Sequence, residues 1–384
     1  PALMYNDGRA AAEAAEVNDA GADLTAKLGY RFSASFGLPK LLWLARHQPE
    51  RLDRAARICH PADFLVGRLT GRYDTSDTSN VLKTGYDLVG HCWPAFIADA
   101  LGLPADKLPR VVRPGQHVAG VTAAAADLLG IAPHAQVVAG ATDGTAGFLA
   151  SGACQVGQWC STIGTTLVLR GASRELLRDP KGRIYCHAHP EGHWLPGAAS
   201  NVGGECLEVR FAGRDLAALD AQVHASLPND VLVYPLARRG ERFPFVAADA
   251  EGFVEGQAPS EAALYAATLE SVGFVERWGL DIMADLGAPI RGPLFASGGA
   301  VASDVWLQLR ADVLHRPVRV AAEAHSAKGA ALLAAVPHFG TLTAAVGEMV
   351  AYEREFEPRP SLRPYLDDKY ARFRAACAAR YPGA

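Results

Sequence analysis

Apolar and polar positions alternate along this chain in two different rhythms. Before residue 136 the rhythm is helical. Leu38–His47 (LPKLLWLARH) repeats its apolar residues at helix spacing. The stretch Arg9–Gly29 is rich in Ala, Glu and Asp, and Pro61–Gly71 opens on a proline suited to a first turn and closes on glycine. Only PALMY at the start and RICH at 57–60 read as strands in this half, too few for a sheet of their own.

From Gln136 the rhythm changes. QVVAG reads as a short buried strand that runs through a Gly/Thr-rich turn into a helix, GTAGFLASG. QWCSTIGTTLVLRG reads as two strands about a glycine, and RIYCHAHPEGHWLPG as a strand pair turning at PEG. Residues 237–260 read as one long loop. A helix over Ala262–Leu286, a strand GPLFAS, a Gly-Gly turn, a helix over Ser303–Leu314 and a strand RPVRV follow. Helices over Ser326–Ala335 and 366–381 come last. Two strand–turn–helix units, VVAGATDGTAGFLA and PLFASGGAVASDVWLQL, put small residues at strand ends, where ligands bind in α/β sheets. They suggest two α/β lobes facing one cleft.

The length of 384 residues makes two domains the default. The net charge of −4, with no basic stripe interleaved with aromatics, argues against nucleic acid as a partner. No apolar run is long enough to span a bilayer. The seven cysteines follow neither a disulfide framework nor a zinc ribbon, so reduced thiols in a cytoplasm are expected.

The candidate chemistry sits at the turns. Asp143 follows an apolar strand and opens a helix, where a carboxylate can take a hydroxyl proton during phosphoryl transfer. An Asp there is more often a helix N-cap. The turn Ile163-Gly164-Thr165-Thr166 offers bare backbone and hydroxyls to a phosphate, or is an ordinary hairpin turn. Gly298-Gly299, and Gly203-Gly204 after Ser200-Asn201, offer flat backbone to a base or ribose, or are tight turns. His187, His189 and His193 have no fourth ligand at sensible spacing and are read as strand histidines, not a metal site.

In series these segments resemble the FGGY carbohydrate kinase family. VVAGATDGTAGFLASGACQVGQWCSTIGTT is similar to the family's catalytic-Asp segment and phosphate turn, and GPLFASGGAVASDVWLQLRADVLHRPV to its signature around the adenine pocket. SAKGAALLAA, RRGERFP, LMYNDGRA and FLVGRLTGRYDTSDTSN match further family segments, the run from CSTIGTT to YPLARRGERFPF being most similar to D-ribulokinase-like and xylulokinase-like members. The resemblance implies an α/β, two-domain actin-like (ribonuclease H-like) fold, with an N-terminal domain over 1–153 and a C-terminal, nucleotide-side domain over 154–384. It implies an ATP-dependent kinase of a ketopentose such as D-ribulose or D-xylulose, with Mg²⁺ on the phosphates. The alternatives are another acceptor, such as glycerol or a hexulose, or a non-catalytic actin-like nucleotide-binding protein.

The resemblance also implies roles by position. Asp143 is the base. Gly164, Thr165 and Thr166 meet the phosphates, and Gly203 lies near the nucleotide. Gly298, Gly299 and Ser303 line the adenine side, although the family often has Asn where Ser303 stands. Tyr5, Asn6 and Asp7 fall at the sugar. The partners implied are sugar and ATP, with no nucleic acid and no membrane, and a homodimer is allowed. The family's opening Asp-x-Gly-Thr hairpin is absent from the sequence. The first domain is therefore expected to be incomplete, and the chain as it stands is expected to complete no turnover.

Overall fold

The Ala-rich stretch near the start folds as two helices, Ala11–Ala20 and Ala22–Leu28, broken at Gly21 and closed by Gly29 in the left-handed region at φ 74°. Leu38–His47 lies inside the helix Gly37–His47, which buries Leu38, Leu41 and Leu42 on one face. Pro61–Thr70 is a helix with Pro61 in its first turn. His60 and Asp63 form its capping box, and Gly71 closes it at φ 75°. The computed structural model that shows this describes residues 3–4 and 6–383 of the chain.

Two units emerge from the contacts. The first takes the chain up to Leu149 together with Tyr185–Trp194 and His325–Met349. The second takes Ala150–Ile184, Leu195–Ala324 and Val350–Ala384. Both are α/β in texture.

In the first unit the strands are short. Thr75–Asp77 pairs in parallel with Arg110–Val112, and His117–Gly120 pairs antiparallel with Gln136–Val138. RICH is not a strand. Residues 57–60 run extended into Pro61 because His60 is the helix cap, and the N–H of Ile58 reaches a lone carbonyl, Lys107, at 2.9 Å. PALMY lies largely outside the described residues, and Leu3 and Met4 form no strand. The strand at 75–77 escaped a pattern reading because all three of its residues are polar and all three are buried.

The second unit is built on a sheet. Its order runs Tyr352–Phe356, Val318–Ala321, Leu294–Ser297, Trp159–Ile163, Leu167–Gly171, Trp194–Ser200. The central three are parallel, with Leu294 opposite both Val318 and Trp159. Leu167–Gly171 turns back antiparallel on Trp159–Ile163, and Tyr352–Phe356 closes the other edge antiparallel. Parallel pairs need crossovers, and helices supply them here. Glu261–Asp285 precedes Leu294–Ser297, and Asp304–Leu314 leads from it to Val318–Ala321. The expected loop over 237–260 is ordered by a bridge between Glu241 and Ala247 and contains the strand Phe253–Glu255, paired with Leu232–Tyr234. The last helix, Arg363–Arg380, buries Leu366, Tyr370, Phe373 and Cys377. No single helix among the described residues is long and apolar enough to cross a membrane.

Candidate active site

Asp143 stands where the sequence pattern put it. Gln136–Val138 ends, four residues turn, and the helix Asp143–Ala150 begins. The carbonyl of Thr142 accepts the N–H groups of Thr145 and Ala146 at 3.0 and 2.9 Å, so Thr142 starts the helix and Asp143 lies one position inside it. The Asp143 side chain is exposed, and its Oδ1 accepts the N–H of Gly144 at 2.7 Å.

Two neighbours fix this turn. On one side the N–H of Thr142 donates to Ser79 Oγ at 2.8 Å. On the other, Ser326 Oγ donates to the carbonyl of Asp143 at 3.1 Å. Ser326 opens the helix Ser326–Phe339, which holds the SAKG motif. A Cβ on its Gly329 would fall 1.8 Å from the carbonyl oxygen of Ala146, so the two helices touch backbone to backbone.

Asn6 is exposed in the same unit, and Asp7 beside it belongs to a different set of contacts. Asp7 accepts Arg9 Nε at 2.9 Å on both carboxylate oxygens, and Arg9 lies over the Trp43 ring, 4.8 Å from its centroid. These bonds from Arg9 hold the Asp7 carboxyl below its ordinary range. Lys40, buried, donates to the carbonyl of Met4 at 2.5 Å, and its burial pulls its ammonium pKa down. Tyr5 lies outside the described residues.

The nucleotide-side candidates all fall in the second unit, and six of them gather at one edge of its sheet. Gly204 N–H donates to the carbonyl of Gly164 at 2.7 Å, and Leu167 N–H to that of Val202 at 2.7 Å. A Cβ on Gly203 would lie 2.5 Å from the Thr165 carbonyl oxygen, and one on Gly298 would lie 2.5 Å from that of Ile163. Gly298 has φ 86° and ψ −175°, a conformation open essentially to glycine alone. Beside it Thr162 Oγ1 and Ser297 Oγ are 2.7 Å apart. Gly164 and Gly299 face open space, and Thr165 is exposed. Thr166, half-buried, follows in the same turn. Ser303 is differently occupied. It caps the helix Asp304–Leu314 by accepting Trp306 N–H at 3.0 Å and donates to Asp220 at 2.7 Å.

A buried carboxylate organises this edge, and sequence reasoning gave it no role. Glu241, 4% exposed, accepts from Ser200 Oγ, Tyr234 Oη and the N–H groups of Asn201 and Arg242, all at 2.8–2.9 Å. It ties the RRGERFP loop to the segment that delivers Gly203 and Gly204. The signal was an acidic residue inside that motif, followed by the apolar FPF.

The edge suits a phosphate. Glycine backbone is bare at Gly164 and Gly299, the packed glycines leave no room for side chains, and an exposed threonine hydroxyl adjoins them. Among the described residues no group of three or more His, Cys, Asp or Glu is arranged to hold a metal ion. A magnesium ion carried on phosphates needs no such all-protein cage. His187 and His189 are buried, His187 on the strand Tyr185–Ala188 and His189 just beyond it. The N–H of His189 closes the turn on the carbonyl of His193 at 2.8 Å.

Residues 1–150 match the N-terminal domain of the FGGY family of carbohydrate kinases, and residues 160–338 match the C-terminal domain of that family. The chain is similar to the xylulose kinase of Escherichia coli (strain K12), 28% identical over 349 residues, which is 88% of this chain and 71% of that one. Among solved structures it is similar to the xylulose kinase from Rhodospirillum rubrum. The TM-score is 0.86 at 28% identity, over 98% of this chain and 79% of that one. The glycerol kinase of Plasmodium falciparum shares the fold alone, with a TM-score of 0.82 at 18% identity over 97% of this chain and 78% of that one. The chain belongs to the FGGY family of carbohydrate kinases: it has the family's two-domain actin-like α/β fold and is a sugar phosphotransferase that uses ATP with Mg²⁺.

Proposed function

We propose that this kinase acts on a pentulose, D-xylulose or D-ribulose, with Asp143 as the general base. The observation that carries the reading is Asp143 itself: an exposed carboxylate at the head of a helix whose first turn is braced on both sides. The names of the similar xylulose kinases support the choice of a ketopentose. In this reading Asp143 takes the proton of the acceptor hydroxyl as its oxygen bonds to the γ-phosphorus. The bond from that phosphorus to the bridging oxygen breaks, and ADP leaves. Gly164, Thr165 and Thr166 receive the phosphates, Gly203 adjoins them, and Gly298-Gly299 offer the flat backbone of the adenine side. Ser303, its hydroxyl bonded twice within the protein, contributes by fixing the start of its helix. Asn6 and Asp7 orient the sugar, with Arg9 setting the Asp7 carboxylate.

ADP release by the full-length protein, measured against D-xylulose, D-ribulose, glycerol and a hexulose, tests the substrate class. The highest kcat/KM is expected with one of the pentuloses. A preference for glycerol or the hexulose would overturn that class, and so would the absence of ADP release with either pentulose. Asp143→Asn is expected to lower kcat by about 10²–10⁴-fold, the usual worth of a positioned base, with KM for ATP nearly unchanged. A variant within a few-fold of the parent would leave Asp143 as a helix-terminus residue only.

A further inference from the structure

The motif TSDTSN, residues 75–80, matches the family by sequence and enters the reading above only through Ser79, whose hydroxyl braces the turn before Asp143. Its structure is a buried polar knot. Thr75–Asp77 is a strand whose partner is Arg110–Val112, with Asp77 opposite Val112, and Thr78–Val81 is a single helical turn that Asp77 caps. Asp77 is 3% exposed and Ser79 2%. Asp77 Oδ1 accepts the N–H groups of Ser79 and Asn80 at 2.8 and 3.1 Å and the hydroxyl of Ser79 at 2.5 Å. Asp77 Oδ2 accepts Asn80 Nδ2 at 2.5 Å. A carboxylate this deep survives only when its oxygens are satisfied.

The hydroxyl of Ser79 therefore has its hydrogen committed to Asp77, which leaves its lone pairs as the only thing it can offer. What it accepts is the N–H of Thr142, at 2.8 Å. Thr142 starts the Asp143 helix, and its N–H is an orphan donor that the helix itself cannot satisfy. The connection spans 63 residues of sequence and ends one residue short of the exposed carboxylate.

We propose that Asp77 and Ser79 are positioning residues for the phosphoryl transfer. Asp77 orients the Ser79 hydroxyl, and that hydroxyl holds Thr142 so that Asp143 points at the acceptor oxygen. The inference rests on Asp143 being the base. A polar chain of this kind makes a particular demand. Losing it shifts the base without touching either substrate's own contacts, so it lowers kcat and spares KM.

The test uses the full-length protein with its best sugar, and compares Asp143→Asn, Ser79→Ala and the volume-conserving Asp77→Asn for kcat, for both KM values and for melting temperature. A misplacement of the order of an ångström at a reacting group can cost about a hundredfold in rate. The expected result is a kcat loss of about tenfold or more in Ser79→Ala and Asp77→Asn, with KM for ATP and for sugar within about twofold of the parent. If Asp143→Asn is inactive while a folded Ser79→Ala keeps its kcat within about twofold, the positioning role is overturned and the base reading stands. If Asp143→Asn retains full activity, the base reading falls and the positioning role falls with it. If both knot variants unfold, the knot is structural and the proposal is overturned.

Discussion

Gly298 and Gly299 adjoin in sequence but need to be glycine for different reasons. Gly298 is held at φ 86° and ψ −175°, and a Cβ there would strike the carbonyl of Ile163. Gly299 has an ordinary φ, and a Cβ on it would meet nothing within 4 Å. Protein packing therefore demands the first glycine and not the second. Gly298→Ala is expected to cost about 1–3 kcal/mol of stability, the usual penalty of that backbone region. Gly299→Ala is expected to leave the melting temperature unchanged and to raise KM for ATP several-fold, because its methyl group would stand on the surface proposed for the nucleotide. An unchanged KM in a folded Gly299→Ala would remove Gly299 from the nucleotide site. The sequence alone could not separate these two residues. It displays a Gly-Gly pair, while the difference lies in a backbone angle and in Ile163, 135 positions earlier.

Among the elements, the sequence announced those with a repeating apolar face or marked ends. Gly37–His47, Pro61–Thr70 and Glu261–Asp285 lie within a residue of the stretches read as helices, the first from its apolar spacing and the second from its opening proline and closing glycine. It concealed elements whose burial is polar, such as Thr75–Asp77. It misled where an extended run served as a helix cap, as at 57–60. It also gave no sign of how closely two helices can meet. Gly329 of Ser326–Phe339 lies against the backbone of Asp143–Ala150, with a would-be Cβ 1.8 Å from Ala146 O. Backbone cannot yield as a side-chain tip can. Gly329→Ala is expected to force the helices apart, lowering both melting temperature and kcat. Gly347→Ala, in the exposed part of the helix Leu342–Met349, is the matched control. No atom lies within 4 Å of a Cβ there, so helix propensity should raise stability by about 0.8–1 kcal/mol. Equal effects of the two substitutions would refute the close-contact argument.

At the scale of the whole molecule, the α/β class and the family were legible because short motifs recur in order across the chain. The division into units was less so. A single cut in sequence at 153/154 places Ser326–Phe339 with the later half, whereas its contacts join it to the Asp143 helix. Composition was equally silent on where the charges go. Glu261–Asp285 carries Glu270 and Glu276 among its fully buried residues, against any simple two-faced pattern. Their partners come from far along the chain. Lys369 Nζ reaches Glu270 at 2.6 Å across 99 positions, and Arg310 grips Glu276 at 2.6 and 3.0 Å across 34, both ends 0% exposed. Two ions taken fully out of water gain little over a well-packed apolar pair, yet removing one of them strands the other. Arg310→Met is therefore expected to cost about 3–5 kcal/mol in urea unfolding, as a buried carboxylate loses the cation that grips it. The double variant Arg310→Met/Glu276→Leu should recover most of that loss, since the desolvated charge is gone and the volume is nearly kept. A single variant that loses less than about 1 kcal/mol would mean that water reaches Glu276. A double variant no better than the single would mean that the pair contributes through packing geometry and not through charge.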